Sequence, residues 1–171
     1  DVTLVSGKTS LPPVRFAENI SVTSAQDMFD VFKSRFKDYD IIIKAAAVAD
    51  YKPLHASDEK IKKNDSSYES VIELERTEDI LSYLGAHKAK GQLICGFSME
   101  TQNMLENSKA KLAKKNADMI VANNLKVAGA GFGTDTNVVT VITKDAVEEL
   151  PMMSKEEVAD ALLDRIMKAR Q

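Results

Sequence analysis

The run from Ile41 to Asp50, with the sequence IIIKAAAVAD, constrains the fold more than any other part of the chain. It is almost entirely apolar, whereas a strand with one face in water alternates apolar and polar residues. A continuous apolar strand is typical of a parallel sheet that helices cover on both faces. Two further apolar runs, Leu93–Phe97 and Met119–Ala122, are separated from it and from each other by helical spacing. This alternation of strand and helix predicts an α/β fold with a mainly parallel sheet and helices on both faces.

The two ends of the chain complete this prediction. Residues Asn137–Thr143 alternate in polarity and are followed by Val147–Leu150, which predicts a C-terminal antiparallel hairpin, and Ser154 is placed to cap the last helix. A chain of 171 residues with 44% apolar content is long enough to bury one sizeable core. We therefore predict a single Rossmann-like domain over residues 1–171. Because the sequence enters a strand at once and without Met, we expect an upstream segment to be missing.

The composition excludes several classes of function. A net charge of -3 and a pI near 5.5 argue against a nucleic-acid-binding protein. No apolar run approaches the roughly 20 residues that cross a bilayer, and the lone Cys95 rules out an internal disulfide, so we expect a cytoplasmic protein without a membrane partner. His55 and His87 have no third ligand at metal-site spacing, so no metal-ligating residues are predicted.

Small and basic residues lie where they suit a phosphate-bearing ligand, because open α/β sheets bind ligands at the carboxyl ends of their strands. Ala45 and its alanine neighbours permit a close approach of ligand to backbone, and they equally permit tight helix packing. Lys111 and Lys115 lie one helical turn apart, which suits a triphosphate and also an ordinary solvated helix face. Lys60 lies in a charged segment, residues 52–76, which we interpret as a mobile arm that either closes over phosphates or only adds solubility.

Five motifs, taken in their order and spacing, resemble phosphopantothenoylcysteine synthetase of coenzyme A biosynthesis. They are KAAAVADY from Lys44, EKIKK from Glu59, GFSMET from Gly96, KNAD from Lys115 and VAN from Val121. Each motif is unspecific by itself, but together they extend over most of the chain. The resemblance implies the synthetase half of the bacterial bifunctional protein of this pathway.

The resemblance also implies a reaction, in which phosphopantothenate and L-cysteine are joined to give phosphopantothenoylcysteine. CTP would activate the carboxylate through an acyl-cytidylate, with release of pyrophosphate and then CMP, and Mg²⁺ would accompany the nucleotide. Members of this family are usually homodimers, so a homodimer is expected here. An enzyme of this kind must neutralise a triphosphate while a second anion attacks it, and for this reason lysines and a metal should dominate its site.

Residue by residue, the resemblance carries a nucleotide site onto this chain. Lys60 matches the flap lysine and is the predicted catalytic residue. Glu78 stands where the family usually carries Pro, and Thr77 before it is typical of a helix cap. The helix start is expected to frame the base mostly through backbone groups. The predicted nucleotide-binding residues are Lys44, Ala45, Ala46, Asp50, Lys60, Glu78, Asp79, Ile80, Leu81, Phe97, Lys111 and Lys115.

Three alternative functions remain open at this point. The first is an ATP-using form of the same ligase, since backbone contacts to a base leave almost no side-chain signature. The second is a nucleotide-binding fragment without turnover. The family usually begins with a strand, a glycine-rich turn and a helix, and by this resemblance the first βα unit and its part of the site are expected to be missing here. The third is a nicotinamide-dependent oxidoreductase, since the same architecture hosts many of those enzymes, although the sequence has no G-x-G-x-x-G fingerprint.

Overall fold

A computed structural model describes residues 1–57, 59–60, 71–100, 103–124 and 133–170. The chain divides into two compact units, the first made of Asp1–Asp30 and Ala47–Asp79 and the second of Val31–Ala46 and Ile80–Gln171. The described strands are β1 (Thr3–Ser6), β2 (Glu18–Ser21), β3 (Ile41–Lys44), β4 (Tyr51–Pro53), β5 (Leu74–Arg76), β6 (Leu93–Glu100), β7 (Met119–Asn124), β8 (Thr136–Asn137), β9 (Val139–Thr143), β10 (Val147–Glu149) and β11 (Met153–Ser154). The described helices are α1 (Ala25–Arg35), α2 (Ile80–His87), α3 (Met104–Lys114) and α4 (Lys155–Ala169), with a 3-10 turn at Phe36–Asp38.

The second unit contains a five-stranded sheet in the order β10-β9-β7-β6-β3. Strands β3, β6 and β7 are parallel, with Ile41 opposite Leu93 and Cys95 opposite Met119. Strand β9 runs antiparallel to β7, and β10 pairs with β9 as the predicted terminal hairpin. The α/β prediction with a mainly parallel Rossmann-like sheet is therefore confirmed.

Helices cover both faces of this sheet. Successive side chains of a strand point to opposite faces, so Cys95 and Gly96 of β6 identify the two sides. On the Cys95 side, α4 contributes its apolar stripe to a buried cluster with Leu93, Met119 and Val121. On the other side α2 lies against β6, and Leu81 of α2 packs directly on Gly96. A Cβ added at Gly96 would lie only 2.6 Å from a methyl carbon of Leu81. The apolar runs of β6 and β7 are buried on both faces, and this explains why they are continuous.

The strand that begins at Ile41 is shorter than its apolar run. Strand β3 ends at Lys44, and the alanines from Ala45 to Ala47 that follow it are exposed and outside any strand. Within the described residues β3 pairs only with β6, so it forms an edge, where Ile43 is 40% exposed. Alanine is depleted in strands because its side chain gives little to pack on a pleated surface. The apolar run from Ile41 to Asp50 is therefore longer than the strand, which ends at Lys44.

The first unit contains two small sheets. Strands β1 and β2 are parallel, and β4 and β5 pair antiparallel with Tyr51 opposite Arg76. The β4–β5 pair forms the base of the segment that we interpret as a mobile arm; residues 58 and 61–70 of that segment lie outside the described residues. Thr77 follows β5 directly, where its hydroxyl donates to Ala49 O at 2.6 Å and its amide donates to Asp50 O at 3.0 Å. Thr77 therefore joins two segments instead of capping α2.

Two further findings concern Cys95 and the helices. Cys95 is fully buried, and burial raises the pKa of its thiol to about 12, so it is an unreactive core residue as expected. No helix in the described part of the chain combines the length and the apolar character needed to cross a membrane.

Helix α4 begins with a capping box that makes its stability depend on pH. Glu157 N donates to Ser154 Oγ at 3.1 Å, and the Glu157 carboxylate accepts from Ser154 N at 2.7 Å. These hydrogen bonds, the backbone one foremost, hold the pKa of Glu157 below its usual 4.5. A lowered folded-state pKa contributes stability above the unfolded pKa, and that contribution is lost as the pH falls through the folded value.

We therefore expect Glu157→Ala to lower the free energy of unfolding at pH 7, and the difference from wild type to shrink below pH 4.5. Urea titrations at several pH values measure this difference. Glu156→Ala is the matched control, since Glu156 is also exposed and lies in the same first turn of α4. An equal loss for both variants, or a loss for Glu157→Ala that does not change with pH, would contradict the expectation.

Candidate functional site

The carboxyl end of β6 lies beside a lysine of α3. Lys111, which is half-buried, donates from Nζ to Phe97 O at 3.3 Å. A second contact joins β6 and α3 beside the first one. Ser98 Oγ of β6 and Ser108 Oγ of α3 are 2.8 Å apart, and both side chains are buried. Buried hydroxyls need a partner, so this pair ties α3 to β6 just after Phe97. The family resemblance assigned Phe97 and Lys111 to one nucleotide site. The two residues are in contact in the structure, and their role stays a prediction.

Lys115 follows the last residue of α3 and points toward α2. Its backbone amide donates to Lys111 O at 2.9 Å, which continues the helical turn. Its Nζ donates to Ser82 Oγ at 2.9 Å. Both side chains are half-buried. The second predicted phosphate-facing lysine is therefore held over the first half of α2, while Lys111 is held at the strand end.

The beginning of α2 contains two of the predicted base-framing residues. Ile80 and Leu81 are only 2% and 4% exposed, and Leu81 packs over Gly96 in the core. Their side chains are thus committed to packing, and any contact with a ligand must come from backbone groups. This arrangement agrees with the backbone recognition that the resemblance implies, although the role itself stays a prediction.

The end of β3 lies level with the end of β6. Lys44 is opposite Gly96 in the parallel register, so the next residue, Ala45, follows at the level of Phe97. Lys44 is half-buried, whereas Ala45 and Ala46 are exposed. The second unit therefore gathers Lys44, Ala45 and Ala46 with Phe97 along one edge of the sheet. Their contact with a nucleotide stays a prediction.

The remaining predicted residues belong to the first unit. Asp50 is exposed, and its carbonyl is held by the amide of Thr77. Lys60, Glu78 and Asp79 are also exposed. The roles of these four residues stay predictions.

The resemblance implies a magnesium ion that would arrive with the nucleotide, and this stays a prediction. Within the described ranges no three His, Cys, Asp or Glu side chains lie together as a preformed metal cage. Mg²⁺ in nucleotide enzymes is usually held by one or two carboxylates and by the substrate phosphates, and it keeps several waters. Asp50 offers such a carboxylate, so the donor set is compatible with the predicted cofactor without a dedicated site.

Several polar residues that position this edge carry no signal in the sequence. Ser82 is an ordinary helix residue by pattern, and the Ser98–Ser108 pair joins residues of two different elements. At the end of β7, Asn137 Nδ2 donates to Asn123 Oδ1 at 3.1 Å. Only the position of Asn123 after an apolar strand was visible in the sequence, since pairing across elements is not a local property.

Comparisons with known proteins identify the family to which the chain belongs. The family model described as DNA/pantothenate metabolism flavoprotein C-terminal domain matches residues 1–169. The coenzyme A biosynthesis bifunctional protein CoaBC of Bacillus subtilis (strain 168) is 48% identical over 167 residues, which are 96% of this chain and 40% of that protein. The chain thus spans about two-fifths of the length of this relative.

Two solved structures are similar in fold. The crystal structure of the C-terminal domain of CoaBC has a TM-score of 0.80 and 44% identity, covering 99% of this chain and 76% of the other. A Cab2 mutant in complex with phosphopantothenate-cysteine has a TM-score of 0.59 and 18% identity, covering 79% of this chain and 47% of the other, which shows a shared fold alone. The resemblance that the motifs indicate is confirmed, and the chain belongs to the family of the DNA/pantothenate metabolism flavoprotein C-terminal domain.

Proposed function

We propose that this chain forms part of a ligase that joins phosphopantothenate to L-cysteine, and that it activates the carboxylate of phosphopantothenate with CTP. The observation that carries the proposal is the placement of two lysines, Lys111 and Lys115, at the edge formed by β6 and α2. Family membership supports it, as do the relative named for coenzyme A biosynthesis and the fold neighbour that binds phosphopantothenate-cysteine.

The first step is the attack of the phosphopantothenate carboxylate on the innermost phosphorus of CTP. An oxygen–phosphorus bond forms, the bond to pyrophosphate breaks, and an acyl-cytidylate results. Two anions must approach each other, so the site has to supply positive charge where negative charge develops. Lys111 and Lys115 supply two such charges from fixed positions, because each ammonium group is held by a protein oxygen. Magnesium, when bound, would neutralise part of the triphosphate.

The second step is the attack of the cysteine amine on the acyl carbon, which forms the amide and releases CMP, while the amine loses a proton. Lys60 would act in the first step, closing with its segment over the phosphates. Its exposure in the described structure leaves the ammonium group available for that contact. The mixed anhydride already carries the activation, so no covalent bond to the protein is needed. By the same resemblance we propose that the working form is a homodimer, and from the composition we propose that it acts in the cytoplasm.

Pyrophosphate release tests this function. The chain is incubated with phosphopantothenate, L-cysteine and Mg²⁺, with CTP in one arm and ATP in the other. We expect release that requires phosphopantothenate and is faster with CTP. A preference for ATP would identify the ATP-using form, and CTP binding without release would identify a nucleotide-binding fragment. The absence of both CTP binding and pyrophosphate release would contradict the proposal. Binding of NAD in preference to CTP would favour the oxidoreductase alternative.

A further inference from the structure

Helix α2 and the end of α3 make three contacts within a few residues. From these contacts we infer that Ser82 is a positioning residue, which holds Lys115 ready for the phosphates of the nucleotide. We call the group formed by Ser82, Gly85, Lys115 and Asn116 the α2–α3 clamp. The inference rests on the proposed function, because it assigns to the clamp the task of orienting a lysine of that site.

The first contact of the clamp fixes the ammonium group itself. Lys115 Nζ donates to Ser82 Oγ at 2.9 Å, and both residues are half-buried. A lysine side chain has high rotamer entropy, and ordering it on binding would reduce affinity. The hydroxyl of Ser82 orders the ammonium group before the ligand arrives. Ser82 Oγ is an uncharged acceptor, so this hydrogen bond does not itself neutralise the ammonium charge.

The second contact fixes the backbone of the lysine. A Cβ at Gly85 would lie 1.8 Å from Lys115 O and 3.2 Å from Asn116 O. No side chain fits at this distance, so α2 approaches the end of α3 more closely than any residue other than glycine permits. Gly85 lies one helical turn after Ser82, on the same side of α2. The backbone and the side-chain end of Lys115 are therefore held by one face of one helix.

The third contact closes the turn that follows. Asn116 has a φ of 47°, in the left-handed region, and its Nδ2 donates to Gly85 O at 2.7 Å. Asparagine is among the residues that enter this region most readily. Asn116 follows the C-cap residue Lys115 directly, and the Asn116 side chain returns to α2. Three contacts on two helices thus leave Lys115 little freedom to move unless α2 moves with it.

The clamp has a consequence for recognition. Helix α2 begins with Ile80 and Leu81, the residues predicted to frame the base, and it carries Ser82 as the next residue. Lys115 is predicted to meet the phosphates. The clamp therefore sets a fixed separation between the place of the base and a charge for the triphosphate, which favours a nucleoside triphosphate over free pyrophosphate. Preorganisation of this kind acts through lower ordering costs and not through new contacts.

Equilibrium binding of CTP with Mg²⁺, measured by calorimetry, tests the role of Ser82. We expect Ser82→Ala to raise the dissociation constant about tenfold, since a hydrogen bond to a charged group is lost, and Ser82→Thr to restore it to within about twofold. Lys114→Gln, an exposed neighbour on α3, should bind like the wild type. In a Lys115→Gln background, Ser82→Ala should have no further effect. Unchanged binding by Ser82→Ala, or the same loss with and without Lys115, would overturn the inference.

A second measurement separates the clamp from the proposed function. Relaxation of the Lys115 Cε carbon, measured by NMR without nucleotide, reports the mobility of its ammonium end. We expect Ser82→Ala to increase this mobility while the thermal midpoint stays close to that of the wild type. If the wild type does not bind CTP, the proposed function fails while this result still tests the clamp. A Lys115 side chain that is equally mobile in the wild type and in Ser82→Ala would refute the positioning role.

Discussion

Replacement of Lys115 by glutamine is expected to lower the rate of pyrophosphate release about 100-fold, the size of effect seen when one preorganised donor is removed from a developing anion. Glutamine keeps much of the length and polarity of the side chain and removes only the charge. The charge is half-buried and held at 2.9 Å from Ser82 Oγ, so water replaces it poorly. Because the negative charge grows as pyrophosphate departs, the loss should fall mainly on kcat and less on the KM for CTP.

Initial rates over a range of CTP concentrations, with phosphopantothenate and cysteine in excess, measure this effect. Lys114→Gln is the matched control, because it removes an equal charge from the neighbouring, exposed position at the end of α3. We expect its rate to stay within about twofold of the wild type, as is usual for a surface charge. Equal losses in both variants would indicate a general effect of net charge, and an unchanged rate for Lys115→Gln would remove this residue from the proposed site.

The fold could be predicted because its signals are local. The apolar runs at Leu93 and Met119 are buried on both faces, and the alternating segment from Val139 pairs with β10 as expected. Such patterns follow directly from the period of a strand and from burial. The run at Ile41 shows the limit of this method, since apolar composition does not distinguish the strand Ile41–Lys44 from the exposed alanines that follow it.

The candidate site was predicted less completely, for a physical reason. Lys111, Lys115 and Phe97 were identified through a family resemblance, and the structure gives the two lysines partners that no local pattern contains. Ser82 and Lys115 are far apart in the sequence and meet only because α2 and α3 pack against the same sheet. Thr77 shows the same limit, since its position was typical of a helix cap but its hydroxyl bonds to Ala49 O.

Replacement of Gly85 by alanine is expected to lower the free energy of unfolding by about 3 kcal/mol, the upper part of the usual range for overpacking. Helix propensity alone predicts the opposite sign, because alanine in a helix is more favourable than glycine by about 1 kcal/mol. The contact decides the sign, since a Cβ would lie 1.8 Å from Lys115 O, a backbone atom that cannot rotate away. Urea unfolding measures the change. Gly7→Ala is the control, because nothing lies within 4 Å of a Cβ there. A stability for Gly85→Ala equal to or above that of the wild type would show that α2 and the end of α3 are not packed this closely.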